Sequence, residues 1–533
     1  GRPHTLADPQ GQRHRRATAA SLATSLDCRL NSLVKTGWLV AYAPPDTSGI
    51  NNGMQITNWK NGCNSDKDSP GGNEGLLGVG SKNTKTSATA QAFQDNFNNL
   101  IRRLNIKNIR VGGTSADSVK QRVGDASSRA YPPLQTAKNV IDFAKEVGLT
   151  ELEWNLPVYG VDVSTYFNYA ASLLEYKNST YPKLKLIFEI GNEDNNTRMS
   201  YASWLASFKS YVSGIYKLTS DSLKKNLYFT GPSTAGQGWN SNIVNDSYFV
   251  TDNISEAQIA GVKSLISYVN THEYPLGGGY TSPCLAPGVT GSGTTCLSLV
   301  SKLLAQGAYD PSNFTATLSK VNLSPRLMEI NSMYGGGIAG AGDSFAAALW
   351  ALNNVSWFAQ NSKLAGLNLH LGATNGGYSP ITPPFTNGSG NNALPTLKAD
   401  GYGMLTYGQF NQGGKIIVPS VVGLTSRISV FGALQPDGHL RMLIINRNWT
   451  DNGNDPVIAT VTVPSGYSTA RTMSLAQSGS NPMSPTGISL GGSGVASDGA
   501  WSGVWTAASR ANADGTYTFT VPPVQAMVVD FSK

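Results

Sequence analysis

Between residues 86 and 415 the sequence alternates repeatedly between short β-forming runs and segments of helical period, and this alternation limits the available folds more than any other feature. Phe93 to Leu104 has helical spacing and leads into Ile106 to Val111. Ala137 to Val147 leads into Glu151 to Leu156, and Tyr166 to Tyr176 into Leu184 to Ile190. Strand-like runs follow at Asn226 to Phe229, Ile266 to Val269, Leu323 to Ile330 and Gly366 to Leu371, with a helix over Ser344 to Gln360. Strands that return through helices build a parallel sheet, and this many units favour closure. The expected fold class is α/β, a (β/α)8 TIM barrel over residues 86–415. Residues 1–85 read as an irregular N-terminal segment with one helix-like stretch, Ala17 to Val34.

After about residue 415 the period changes. Ser426 to Leu434, the turn Pro436-Asp437-Gly438 and His439 to Asn446 have the pattern of a hairpin, and Val457 to Val463 and Thr516 to Asp530 alternate without helical segments. Residues 416–533 are expected to form an antiparallel β-sandwich. Length agrees, since 533 residues exceed what one core usually supports. No apolar run reaches the roughly 18 residues that span a bilayer. The nearest, Phe345 to Phe358, is broken by Asn353, Asn354 and Ser356 and reads as a core helix.

The net charge of +7 is modest for this length, and no nucleic-acid partner is expected. The densest basic run, Arg13-His14-Arg15-Arg16, reads as a dibasic processing site or a basic tail. The five histidines do not cluster with cysteine, and Gly112-Gly113 lacks the spacing of a phosphate loop, so neither metal nor other cofactor is expected. Secretion is expected from two features, any leader lying ahead of Gly1. Asn-x-Ser/Thr acceptors occur at Asn178, Asn195, Asn245, Asn253, Asn313, Asn354, Asn387 and Asn448, with Asn322 weakened by Pro325. Cys284 and Cys296 bracket a short Gly/Pro/Thr loop that a disulfide would close, contributing about 3 kcal/mol in the chain-entropy description. Cys28 and Cys63 are a second candidate pair, although four cysteines allow three connectivities.

Reactive groups of a βα barrel sit at the carboxyl ends of its strands. The stretch 183–194, KLKLIFEIGNED, is an apolar strand that ends in acids. Strict alternation would put Glu189, Gly191 and Glu193 on one face and Phe188, Ile190 and Asn192 on the other. A partly desolvated carboxyl group at a pocket mouth is suited to proton donation. A second strand ends at Glu329 and leads through Asn331-Ser332-Met333-Tyr334 into Gly335-Gly336-Gly337, before a helix capped at Asp343. Two strand-end carboxylates are the minimum equipment for glycoside hydrolysis, one protonating the leaving oxygen and the other attacking the anomeric carbon or activating water.

These residues resemble the retaining glycosidases whose acid/base follows strand 4 and whose nucleophile ends strand 7. The run from Glu329 to Gly337, followed by Asp343-Ser344-Phe345-Ala346-Ala347, is similar to the heparanase-like β-glucuronidases of glycoside hydrolase family 79. Ile109-Arg110-Val111-Gly112-Gly113-Thr114, His272-Glu273-Tyr274 and the spacing from His370 to Tyr378 agree, so the resemblance covers roughly residues 100 to 415. It implies Glu193 as acid/base and Glu329 as nucleophile. Asn192 would hold the sugar 2-hydroxyl, while Tyr334, the amides of Gly335 and Gly336, and Tyr378 would receive a glucuronate carboxylate. Thr114 would lie at the sugar rim, Tyr274 beside the nucleophile, and His272 and His370 in the same pocket. The implied partner is a glucuronate-containing glycan or a glucuronide, handled by a monomer.

The sequence departs from the family pattern at four places, one being that the first barrel strand, which normally carries an acidic sugar contact, is not recognisable before residue 85. Asp194 stands where proline is common, His370 stands where a glutamine is expected, and Pro275 to Gly279 offers no cation to a sulfated chain. An exo-acting β-glucuronidase that removes terminal glucuronate or its 4-O-methyl form is therefore favoured over an endo-acting enzyme. A hydrolase of another sugar and an inactive carbohydrate-binding paralogue are the alternatives. Glu189 is expected to be a barrel-interior acid paired with an arginine, Asp194 a loop solvator or helix cap, and Asp117 a helix cap.

Overall fold

The computed structural model of the protein describes residues 37–38, 88–113, 131, 134–196, 199–255, 257–280, 282–289, 291–361, 364–370, 377–378, 380–381, 396–449, 455–508, 512 and 514–533. Thr114, Asp117, Cys28, Cys63, Asn387 and the stretch 17–34 lie outside the described residues. Eight strands form one sheet: β1 (Gly37–Trp38), β2 (Asn108–Val111), β3 (Glu151–Leu156), β4 (Lys185–Ile190), β5 (Phe229–Ala235), β6 (Ile266–Glu273), β7 (Pro325–Ile330) and β8 (Leu367–Leu369). Their order, 1-8-7-6-5-4-3-2, follows the chain around the barrel, and every pairing is parallel. The first strand thus lies within the segment that reads as irregular, because a two-residue strand is too short to show a period.

The surrounding helices include α1 (Ala88–Arg103), α2 (Leu134–Val147), α3 (Phe167–Thr180), α4 (Tyr201–Leu218), α5 (Cys296–Ala305), α6 (Ser312–Ser319), α7 (Phe345–Asn361) and α8 (Ala399–Phe410). Helix α4 shows why the sequence folds this way. Ser200 caps it by accepting the Ser203 amide, and Trp204, Phe208, Tyr211, Val212 and Ile215 recur at helical spacing and are buried. Each such side chain contributes about 1.5–3 kcal/mol by leaving water. The Trp204 indole also donates to the Ile190 carbonyl (3.0 Å), tying the helix to the end of β4.

Two strands depart from regular pairing. β5 runs on to Ala235, well past the expected end at Phe229, with Ser233 inserted between the pairs Pro232–Asn270 and Thr234–Thr271. On β7, Leu327 pairs with Thr271 and Glu329 with His272, so the chain gains one residue there as well. The same extra residue appears against β8, where Leu367 pairs with Leu327 and Leu369 with Ile330. Such bulges re-aim side chains. Met328 packs inside the barrel with Ile187 and Tyr268, while Leu327 and Ile330 join the outer core. Regular alternation would then turn Glu329 outward, and the bulge brings it in.

The trailing domain begins with β9 (Lys415–Ile417), β10 (Ile428–Leu434), β11 (Leu440–Asn446) and β12 (Val457–Val461), and continues with β13 (Thr469–Gln477), β14 (Ile488–Leu490), β15 (Thr506–Ala507), β16 (Tyr517–Val521) and β17 (Gln525–Ser532). The main sheet is ordered 9-10-11-17-13-14, with β15 on β13, and β12 pairs with β16 in a second sheet. All these pairings are antiparallel, and Tyr517 and Phe519 pack on Val529 and Phe531. The single expected strand over 516–530 is two, and β13 was not legible because its first half is largely exposed.

The two domains are joined through helix ends. The first-turn amides of α7, on Phe345 and Ala346, donate to the carbonyls of Ser484 and Pro482. Asp343 instead accepts the Gly340 amide (2.7 Å), which corrects its expected role as the cap of this helix. At the other ends, Arg447 donates to the carbonyls of Leu304 and Gln306, and Arg441 to that of Gln409 (2.6 Å). Two arginines of the sandwich therefore meet the carboxyl ends of α5 and α8, where cations are favoured. Among the described residues no helix is long and apolar enough to cross a membrane.

Candidate active site

The end of β4 does not continue its alternation. Gly191 and Glu193 both have left-handed backbones, φ +81° and +52°, so the chain turns as it leaves the strand. Glu189 and Asn192, expected on opposite faces, therefore reach the same guanidinium. Arg110, at the end of β2, is fully buried and donates to Glu189 Oε2, Glu329 Oε2 and Asn192 Oδ1, each at 2.7 Å. Glu189 is thus paired with an arginine, as expected. Burial alone would lower the Arg110 pKa, but Glu189 and Glu329 outweigh it and raise it, so the charge is permanent.

Asp194 is buried and not a solvator. Its Oδ2 accepts the Asn192 amide (3.1 Å) across the turn, and a side chain at Gly191 would strike that oxygen. Asn195 completes the turn: its amide donates to the Ala235 carbonyl and its oxygen accepts the Ala235 amide, both at 2.9 Å. Two of the Asn-x-Ser/Thr positions are engaged by protein contacts. Asn195 has both polar atoms engaged by Ala235, and Asn354 is buried, its side chain bonded to Trp350 and Tyr309.

Glu193 and Glu329 lie close together but in different surroundings. One oxygen of each, and a ring nitrogen of His272, all lie within 4.8 Å of one another. His272 Nδ1 is 2.9 Å from Glu193 Oε1 and 3.9 Å from Glu329 Oε2. Its Nε2 is buried with no partner among the described residues, so the ring hydrogen is best placed on Nδ1, donating to Glu193. The Glu193 side chain is 21% exposed and that of Glu329 10%. Tyr274 donates to Glu329 Oε1. Burial would push the Glu329 carboxyl up, but His370, His272, Arg110 and the Tyr274 hydroxyl together hold it well below the usual carboxylate range. These three groups are of a kind that binds a divalent cation, but Arg110 already supplies positive charge at Glu329 Oε2.

The remaining predicted residues form an aromatic wall. His370 Nδ1 sits between the hydroxyls of Tyr274 (2.9 Å) and Tyr378 (2.8 Å), and burial lowers its pKa. The Tyr274 and Tyr378 rings stack at 6.5 Å, and Tyr334 meets Tyr274 edge-on at 6.4 Å. Tyr334 is 53% exposed, whereas Tyr378 is buried. Gly335, Gly336 and Gly337 all have left-handed backbones, which explains the glycine run. The loop after β6 braces this turn: Tyr334 donates its amide to the Gly277 carbonyl (3.0 Å), and Leu276 to that of Ser332 (2.9 Å). The expected disulfide joins Cys284 to Cys296 and packs on Gly340.

Asn192, Glu193, His272, Tyr274, Glu329, His370 and Tyr378 thus come together, with Tyr334 and Gly335 at the rim; Thr114 is outside the described residues. Sequence reasoning missed Arg110, Ser233 and Asn270. An arginine within the apolar run Asn108 to Val111 was the one available signal.

A parallel barrel with strand-end acids and a trailing antiparallel domain is a fold shared with glycoside hydrolases. Among solved structures the chain is similar to a 4-O-α-L-rhamnosyl-β-D-glucuronidase from Fusarium oxysporum 12S in complex with Rha-GlcA, with TM-score 0.54 and 16% identity over 92% of this chain and 100% of that one. It is similar to the GH51 arabinofuranosidase from Xanthomonas axonopodis pv. citri, with TM-score 0.60 and 13% identity over 94% and 97% of the two chains. An α-L-arabinofuranosidase from Thermotoga maritima in complex with arabinose gives TM-score 0.55 and 12% identity over 93% and 96%. No family profile matches the sequence, and no curated protein matches it.

Proposed function

We propose that the protein is a retaining glycoside hydrolase that removes terminal β-linked glucuronate, or its 4-O-methyl form, from a glycan or glycoconjugate outside the cell. The observation that carries the reading is the separation of the two carboxylates, with an oxygen of each within 4.8 Å. Retaining enzymes hold the pair at about 5–5.5 Å, whereas inverting enzymes leave about 6.5–9.5 Å for a water.

Glu329, held as the anion, attacks the anomeric carbon while Glu193 gives its proton to the departing glycosidic oxygen. The carbon–oxygen bond breaks and a glycosyl ester forms on Glu329. Glu193 then removes a proton from water as that water attacks the same carbon, freeing Glu329 and regenerating the acid. The greater exposure of Glu193 suits a group that exchanges protons with solvent. Asn192 gives its oxygen to Arg110, which leaves Nδ2 to donate to the sugar 2-hydroxyl. The uronate carboxylate is received by Tyr334, Tyr378 and the amides of Gly335 and Gly336, on glycines that let main-chain donors approach an anion. One observation favours a second reading, a neutral sugar on the same scaffold: the buried Tyr378 hydroxyl is already engaged by His370 Nδ1 (2.8 Å).

A panel of aryl β-glucuronide, xyloside, glucoside and α-arabinofuranoside tests both readings. Turnover of the glucuronide is expected, with the β-anomer appearing first by NMR. Glu329→Gln should lose at least about a thousandfold in kcat, and azide should restore turnover to Glu193→Ala. Turnover of the xyloside or glucoside without the glucuronide would sink the uronate assignment, and first appearance of the α-anomer would sink retention.

A further inference from the structure

We infer that Ser233 is the positioning residue that holds the two catalytic carboxylates in register with each other, an inference resting on the assignment of Glu193 and Glu329 above. Ser233 is the extra residue of the β5 bulge, fully buried, with a left-handed backbone at φ +53°. That geometry turns three of its groups toward the site. Its carbonyl accepts the Glu193 amide (2.7 Å), fixing the main chain that carries the acid/base. Its hydroxyl donates to Glu189 Oε1 (2.6 Å), and its amide to Asn270 Oδ1 (2.6 Å). Glu189 Oε2 in turn holds Arg110 Nε, and Arg110 holds Glu329 Oε2.

One residue therefore reaches the acid/base in a single hydrogen bond and the nucleophile through Glu189 and Arg110. With the hydroxyl satisfying Oε1, the Glu189 carboxylate is fixed in plane, and Arg110 can serve Glu329 and Asn192 together. A β-branched residue is badly strained at this φ, and alanine is strained too. Serine carries the same strain as alanine, and its hydroxyl bond to Glu189 is the contact that alanine could not supply.

Ser233→Gly isolates the hydroxyl, because glycine adopts the left-handed backbone freely and keeps both main-chain bonds. The expected result is a fall in kcat of about 10- to 100-fold with KM little changed. Loosening Arg110 also leaves the Glu329 anion less stabilised, so its titration should move to higher pH. Among the described residues, the charged and titratable groups facing Glu329 are Arg110 from β2, with Glu189 of β4 behind it, Glu193 after β4, His272 and Tyr274 on and after β6, and His370 and Tyr378 after β8, and none is altered by the substitution. NMR of the side-chain carboxyl carbons of glutamate, with Glu329→Gln for assignment, reads this titration whether or not any substrate turns over. Glu189→Gln removes a negative charge that competes for Arg110 and so bears on the titration in its own right; it is read by kcat, which should fall at least as far as in Ser233→Gly, and the double variant should add little to Glu189→Gln alone. An unmoved Glu329 titration in Ser233→Gly would overturn the inference, as would wild-type kcat in that variant. A wild-type protein inactive on every glycoside would sink the catalytic assignment instead, leaving the titration to judge the Ser233–Glu189–Arg110 chain.

Discussion

At the scale of single residues the site is organised by one guanidinium. Three hydrogen bonds at 2.7 Å from Arg110 gather Glu189, Asn192 and Glu329, which come from two strand ends and the turn after one of them. A planar fork does this where an ammonium cannot. Arg110→Lys should therefore behave as a severe substitution, lowering kcat by about 100-fold. Arg110 helps keep the Glu329 pKa low, so the nucleophile stays ionised until the pH falls well below the carboxylate range. With lysine in its place the acidic limb of kcat/KM should move up in pH, measurable on the same aryl glycoside, and an unmoved limb would count against this role. Glu193 and Glu329 were legible because each closes an apolar run. Arg110 was quoted with its strand but given no task, since one buried cation in a sequence does not say which acids it will meet.

At the scale of elements, alternation carried most of the barrel. β3 lies where period 2 places it, but the functional ends of β4, β5 and β7 all break that period. The left-handed turn at Gly191 and Glu193 and the bulges at Ser233 and on β7 are set by neighbouring strands, which no local pattern contains. Below the site, a second polar layer spans β2, β3, β6, β7 and β8. Arg326 bonds to Glu151 (2.8 Å) and Asn368 (3.0 Å), Asn368 to Asn108 (2.6 Å), and Glu153 accepts from Asn108 (2.6 Å) and Tyr268. Burial pushes Glu153 up to about 8, against the pull of Arg326. Its folded pKa lies above its unfolded one, so the folded chain keeps a proton that the unfolded chain has released. Stability from this group is complete below about pH 4.5 and is lost as pH rises to about 8. Glu153→Gln should therefore gain on wild type as pH rises, by on the order of 2 kcal/mol or more above pH 8. Melting temperatures between pH 5 and 9 would check this, and a constant difference across the range would refute it.

At the scale of the whole molecule, the sandwich completes the barrel's helices. Arg447 is buried, pushed down to about 10, and its four acceptors are oxygens of Leu304, Gln306, Ser426 and Ser429 with no carboxylate among them. Arg447→Met should strand those oxygens at about 1–3 kcal/mol for each left buried. A calorimetric scan should show the whole protein melting earlier in one transition; an early melt of the sandwich alone would mean the domains are independent. The same logic applies at α7, whose opening amides rest on Pro482 and Ser484 and which follows directly from the glycine turn bearing Tyr334. The apparent seam near residue 415 is therefore a poor place to cut the gene. Recombination that exchanged the trailing domain for another would have to bring along two carbonyls and two arginines at matching places. Otherwise the lineage would inherit a barrel with unfinished helices beside its own catalytic turn.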